Sequence, residues 1–315
     1  MSTAILLLAY GTPSTPDEVE PYFTHIRGGR APSAEAVTRL KERYELIGGR
    51  TPLLDITRET AAALQAALDA RAPSAYRTYI GMKHWHPFIS EAVRQMDAAG
   101  VRRVIAIVLA PHYSRLSVEG YRTYLDEALE NLAAPPEIHF VRNWHLQPEF
   151  IEMMSERLTE ALAEFSPDMR DEVCVVFSAH SLPERIRSWG DPYESQLMDS
   201  CAAVAARAGL AGWRFAWQSA GQTGEPWLGP DIVDYLRTLH GEGVQAVLSV
   251  PIGFVCDHLE VLYDIDHEAA ASAAALGMTL RRTRMPNASP RMIAALEAVI
   301  AEVERRSAAG MAAEA

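Results

Sequence analysis

The chain is punctuated by candidate strands at residues 4–9, 77–81, 104–110, 138–141, 173–178, 213–217, 246–250 and 279–282, and several of them, such as 4–9 and 104–110, are short, continuous apolar runs. A strand with one wet face alternates apolar and polar residues, so an unbroken run belongs to a strand covered on both faces. Between the runs lie amphipathic stretches at helical spacing, such as 59–70, 89–98, 149–165 and 232–239. Strand and helix in alternation predict a parallel α/β architecture. Sheets of that kind collect their ligands at the carboxyl ends of the strands.

The pattern also echoes itself. Pro87 opens a helical stretch that closes at Gly100, and an apolar run follows; Pro230 opens another that closes at Gly243, again followed by an apolar run. Both intervals are 13 residues and the copies stand 143 apart, with Ile89 matching Ile232 and Val104 matching Val247. Each copy then reaches a proline, Pro111 or Pro251, and a loop with a histidine. Repeat logic predicts two similar α/β domains, each a parallel sheet flanked by helices. The expected division is an N-terminal α/β domain over 1–145 and a C-terminal one over 146–288, with a terminal helix over 289–315 packing back on the first.

Bulk composition narrows the function. The 315 residues are 49% hydrophobic and 22% charged, as in an ordinary globular protein. A formal net charge of −12, spread along the chain, argues against nucleic acid as a partner. The opening MSTAILLLAYGTP lacks a basic segment before its apolar run and reads as a buried strand rather than a signal peptide. No apolar run reaches about 18 residues, so no membrane span is expected. Cys174, Cys201 and Cys256 are widely separated, which predicts neither a zinc knuckle nor a disulfide framework and fits a cytoplasmic location. No glycine pattern matches a phosphate-binding fingerprint, which counts against a nucleotide-dependent α/β enzyme.

Six features are placed to carry chemistry. Ser178-Ala179-His180-Ser181-Leu182-Pro183-Glu184 puts a histidine just past a buried strand, where imidazole can take a proton or bind a metal; a hydrogen-bonded loop histidine is the plainer alternative. Glu260, Asp264 and Glu268 stand four residues apart, so on a helix they share a face. A divalent cation passing along hard oxygen ligands would explain such a row, and so would a solvated acidic face near a helix N-terminus. Lys83-His84-Trp85-His86-Pro87 and Pro111-His112-Tyr113-Ser114 supply histidines from the first half that could line the same cleft, with a structural role as the plainer alternative for each. Residues 22–50 concentrate Arg27, Arg30, Arg39, Lys41, Arg43 and Arg50 beside Tyr22, Phe23 and Tyr44, which suits carboxylates around a flat ring and equally an ordinary charged surface helix. Tyr10, between the first strand and Gly11-Thr12-Pro13, stands at the rim of the sheet.

These stretches, in this order, resemble the ferrochelatases. The likeness rests on Ala9-Tyr10-Gly11-Thr12-Pro13, Thr24-His25-Ile26-Arg27, residues 178–184, Gly190-Asp191-Pro192-Tyr193, Trp217-Gln218-Ser219, Pro226-Trp227-Leu228-Gly229-Pro230-Asp231 and residues 251–264. It runs from about residue 4 to residue 295. It implies a chelatase-like pair of similar Rossmann-like domains with a porphyrin in the cleft between them, His180 and Glu260 as the paired metal-site residues, and Asp264 and Glu268 as an acidic track for the metal. Tyr10 resembles the coproporphyrin III type, where a tyrosine is an axial ligand to the product iron. Arg27, Arg43, Tyr44, Thr51, His84 and Tyr121 match porphyrin-contacting positions, with Thr51 in place of a serine and Gly29 where a relative has arginine. Coproporphyrin III carries four propionates, which a basic lip suits.

The resemblance thus implies Fe²⁺ insertion into coproporphyrin III in haem biosynthesis, with release of two protons. No organic cofactor is expected, and three cysteines cannot supply the usual four ligands of an iron–sulfur cluster. The expected state is a monomer in transient contact with neighbouring haem-pathway enzymes. The competing expectations are a protoporphyrin IX ferrochelatase, another tetrapyrrole metal chelatase, and a non-catalytic haem or metal carrier.

Overall fold

The computed structural model describes residues 2–221 and 223–310. The chain divides into two compact units, one of Met1–Gln147 with Asn287–Ala315 and one of Pro148–Pro286. The last five residues of the expected terminal helix, 311–315, lie outside the described residues.

Each unit holds a four-stranded parallel sheet. In the first, β1 (Thr3–Ala9), β2 (Tyr76–Met82), β3 (Arg103–Val108) and β4 (Glu137–Val141) lie in the order β2-β1-β3-β4. In the second, β5 (Cys174–His180), β6 (Arg214–Gln218), β7 (Ala246–Val250) and β8 (Thr279–Arg282) lie in the order β6-β5-β7-β8. Each unit starts at an inner strand, goes outward on one side, then returns to the other. The direction of winding therefore reverses between β1 and β3, and again between β5 and β7. Loops leaving the carboxyl ends of such a strand pair diverge and leave a crevice.

The echo read in the sequence is the same local structure built twice. Helices begin at Ile89 and Ile232, and strands at Arg103 and Ala246. The N–H of Met82, at the end of β2, donates to Pro87 O at 2.7 Å; that of Trp217, in β6, donates to Pro230 O at 2.8 Å.

The inner strands are apolar because helices cover both faces. Ile5, Leu6, Leu7 and Leu8 of β1 are fully buried, as are Val104, Ile105, Ala106 and Ile107 of β3. Each such leucine or isoleucine contributes about 1.5–3 kcal/mol relative to exposure. In the second unit Val176, Ala216, Val247, Leu236 and Leu239 belong to one core cluster. The helix Pro290–Ala308 starts with Ser289 Oγ accepting from Met292 N at 3.4 Å and with Pro290 in its first turn, and it packs on the helix Leu53–Arg71 within the first unit.

Two local expectations are corrected. His180 is the last residue of β5 rather than part of the loop beyond it, because pairing with β6 continues through Gln218. The acidic segment is not one regular α-helix. A turn of α-helix, Leu259–Tyr263, runs into a π-helix, Asp264–Ala269, before α-helical geometry resumes over Ala270–Ala275. Such widened turns are rare and occur often at functional sites.

Candidate active site

In the second unit, the crevice between β5 and β7 gathers the reactive side chains. His180 ends β5. The chain leaving β7 passes Pro251 and Gly253 and enters the helix that carries Glu260. Gly253 N donates to Ser178 O at 3.3 Å, and a Cβ at Gly253 would stand 2.7 Å from that of Ala179. Only glycine lets this loop press so closely on β5.

The result is a direct pair. His180 Nε2 lies 3.3 Å from Glu260 Oε1, with the two side chains 31% and 33% exposed. His180 Nδ1–H donates to the Ser181 carbonyl, which turns Nε2 toward the carboxylate. Burial alone would lower the pKa of His180; the adjacent Glu260 carboxylate overrides it and raises it to about 9. Burial would raise that of Glu260, and His180, then His258, pull it well below the usual carboxylate range. At neutral pH the resting pair is an imidazolium and a carboxylate. An incoming dication would displace the Nε2 proton and meet one nitrogen and one oxygen donor.

His258 was absent from the expected site. Its Nε2 lies 3.4 Å from Glu260 Oε2, and its Nδ1–H donates to Cys256 O at 3.0 Å. Glu260 thus has an imidazole on each oxygen. The clue in the sequence was a histidine two residues before the glutamate.

The acidic row separates. Asp264 is buried in the π-helix and accepts a hydrogen bond from Ser219 Oγ, whereas Glu268 is exposed to solvent. Trp227 stands beside the histidine, its ring centroid 6.3 Å from that of His180.

In the first unit, Tyr10 follows β1 directly and is 41% exposed, an unusual setting for a large aromatic ring. Its ring lies 4.6 Å from that of His84. The β1 and β2 ends are tied by Lys83 N to Ala9 O at 2.9 Å and His84 N to Tyr10 O at 2.8 Å. Gly11, at φ +94°, turns the chain where a Cβ would meet Trp85 N at 2.7 Å. His84 is buried and shares a proton position with His25, Nδ1 to Nδ1 at 3.2 Å. Burial, with Lys83 and His25 acting in the same sense, holds the His84 pKa to about 3, so this imidazole stays neutral.

The remaining expected contacts fall into two groups. Thr51, Thr12 and Tyr44 form a buried hydroxyl chain, with Thr51 Oγ1 donating to Thr12 Oγ1 at 3.1 Å and Thr12 Oγ1 lying 3.0 Å from Tyr44 Oη. Tyr121 is also buried, with Lys83 Nζ 5.1 Å from its ring centre. Arg27 is exposed, its guanidinium 5.8 Å from the Phe23 ring, and Arg43 is half-buried in the last turn of the helix Ala34–Leu46.

Comparison with known proteins settles the family. Residues 2–304 match the family model described as Ferrochelatase. The chain belongs to the ferrochelatase family. A ferrochelatase of Herpetosiphon aurantiacus is 49% identical over 298 residues, covering 95% of this chain and 98% of that one. The coproporphyrin III ferrochelatases of Halalkalibacterium halodurans and Bacillus subtilis are 44% and 43% identical, each covering 94% of this chain and 95% and 96% of their own. Among solved structures, SirB from Bacillus subtilis with Fe³⁺ aligns over 98% of both chains at a TM-score of 0.59 and 11% identity, a likeness of fold alone. As a ferrochelatase the protein is an enzyme that inserts iron into a porphyrin. Among the described residues, no helix is long and apolar enough to cross a membrane.

Proposed function

We propose that this ferrochelatase inserts Fe²⁺ into coproporphyrin III, with His180 and Glu260 as the pair that handles metal and protons. The observation that carries the reading is the 3.3 Å approach of His180 Nε2 to Glu260 Oε1 at the crevice of the second sheet. The names of relatives at 43–44% identity support the choice of porphyrin, and the exposed Tyr10 and the arginines Arg27 and Arg43 suit a tetracarboxylate ring.

Insertion exchanges two pyrrole N–H protons for one Fe²⁺, so two protons leave for each metal that enters. A planar ring hides its nitrogen lone pairs. Arg27, Arg43, Tyr44 and Thr51, with Tyr10, His84 and Tyr121, hold the macrocycle, and binding energy remote from the nitrogens favours the bent ring of the transition state. His180, once deprotonated, accepts a pyrrole proton through Nε2. Glu260 shares the iron or passes protons onward, and Asp264 and Glu268 favour the approach of a dication by Coulomb attraction. Tyr10 becomes the axial ligand of the product iron. The enzyme works in the cytoplasm as a monomer, without an iron–sulfur cluster.

The test is metal insertion under anaerobic conditions with each porphyrin in turn. Faster turnover of coproporphyrin III supports the reading, and faster turnover of protoporphyrin IX overturns the substrate assignment.

A further inference from the structure

The segment Trp217-Gln218-Ser219 takes no part in the chemistry above, yet it reaches both residues of the metal-handling pair. Gln218, the last residue of β6, is the register partner of His180 across the sheet and is fully buried. Its backbone carbonyl accepts from Ser181 N at 2.7 Å. Its side-chain Oε1 accepts from Ser178 Oγ at 2.9 Å, and its Nε2 donates to the Glu260 backbone carbonyl at 3.1 Å. One amide is therefore fastened to β5 on one side and to the helix bearing Glu260 on the other. Because the bond lands on the backbone of Glu260, both carboxylate oxygens are left to His180 and His258.

The next residue acts in the same direction. Ser219 has φ +62°, in the left-handed region that costs a residue with a side chain. In that conformation its hydroxyl donates to the Asp264 carboxylate in the first turn of the π-helix. A corner one residue beyond β6 thus ties down two successive carboxylate-bearing turns.

We propose that Gln218 is the positioning residue of the His180–Glu260 pair, setting the place of the Glu260 backbone against the end of β5, with Ser219 doing the same for Asp264. Glutamine is the side chain the task requires, since it offers an acceptor and a donor in one rigid plane. Methionine fills a similar volume with neither group. Glutamate keeps an acceptor for Ser178 and has no donor for Glu260. Outer partners that orient metal-handling side chains typically change metal affinity or activity by about 10–100-fold when removed.

The inference rests on the function proposed above. The experiment compares full-length wild type, Gln218→Met, Gln218→Glu and Ser178→Ala in anaerobic Fe²⁺ insertion, with porphyrin Kd from fluorescence quenching and folding from thermal melts. Both Gln218 variants are expected to bind coproporphyrin III within about twofold of wild type while kcat/KM for Fe²⁺ falls about 10–100-fold, with a smaller loss in Ser178→Ala. A folded Gln218→Met enzyme with wild-type kcat/KM for Fe²⁺, or one whose porphyrin affinity falls as steeply as its iron kinetics, overturns the positioning role. Where Gln218→Met does not fold, Ser178→Ala carries the test, and unchanged iron kinetics there overturn it. Protoporphyrin IX is assayed in parallel, so a wild-type enzyme that metallates only that ring overturns the substrate reading while the Gln218 comparison is still made on it.

Discussion

Gly253 lies so close to Ala179 that a Cβ placed on it would come within 2.7 Å of the alanine Cβ and 3.0 Å of its Cα. This contact seats the loop after β7 on the end of β5, one residue from His180. The distance between His180 and Glu260 depends on it. Gly253→Ala must move the loop or the strand, since backbone has no flexible end to yield. A cost of about 1–3 kcal/mol is expected from overpacking, seen as a lower urea midpoint, together with reduced iron insertion. Full stability and full activity in that variant would mean that the loop does not set the pair.

The charge state of the pair makes stability depend on pH. His180 has its pKa raised to about 9 from 6.5, because the Glu260 carboxylate outweighs the effect of burial. A raised pKa stabilises the fold fully below pH 6.5, and the contribution is lost as pH climbs through about 9. The pKa of Glu260 is lowered, so its share is present above 4.5 and disappears only as pH falls well below that value. Metal-free wild type should therefore lose stability relative to His180→Gln between pH 6.5 and about 9. Urea midpoints of both proteins across that range check this, and a constant difference between them contradicts it.

Tyr10 is 41% exposed and its ring rests on the neutral His84. Replacing its hydroxyl should leave the fold almost untouched, within about 0.5 kcal/mol. If Tyr10 is the axial ligand proposed above, Tyr10→Phe shifts the visible bands of the iron product. Unchanged bands would remove Tyr10 from the iron.

Thr51 differs from Tyr10 in being buried, with its hydroxyl spent on Thr12 and through it on Tyr44. Thr51→Val keeps the shape and deletes the donor. A loss of about 1–3 kcal/mol is expected from the unsatisfied partners, read by urea denaturation, with weaker coproporphyrin III binding read by fluorescence quenching. Porphyrin affinity equal to wild type would show that the hydroxyl chain serves the fold alone.

Much of this architecture was legible before any coordinates. The apolar runs around Ile5 and Val104 marked strands covered on both faces, and the matching intervals Pro87 to Gly100 and Pro230 to Gly243 marked a fold built twice. The family pattern singled out His180 and Glu260, and the structure brings them together within the second unit. Other features could not be read from a string. Glu260, Asp264 and Glu268 keep a four-residue spacing whether the turns are α or π, so the spacing could not announce the widened turn at Asp264–Ala269 that accompanies a buried Asp264 and an exposed Glu268. The apolar run ends at Ser178, which puts His180 just past its strand, whereas pairing with Gln218 extends β5 to the histidine itself. Gln218, Ser178 and Thr12 are polar residues whose importance lies in partners 30 or more positions away, 42 for Gln218 and Glu260. No local pattern encodes such a distance.

The central claim is that the imidazole of His180 takes part in metal insertion rather than in holding the porphyrin. The direct measurement is anaerobic mixing of Fe²⁺ with the protein already bound to coproporphyrin III, followed by absorbance, for wild type and His180→Ala. The account predicts that His180→Ala binds the porphyrin with wild-type affinity and forms no iron product on the time scale of wild-type turnover. Near-normal insertion by the folded variant would contradict it.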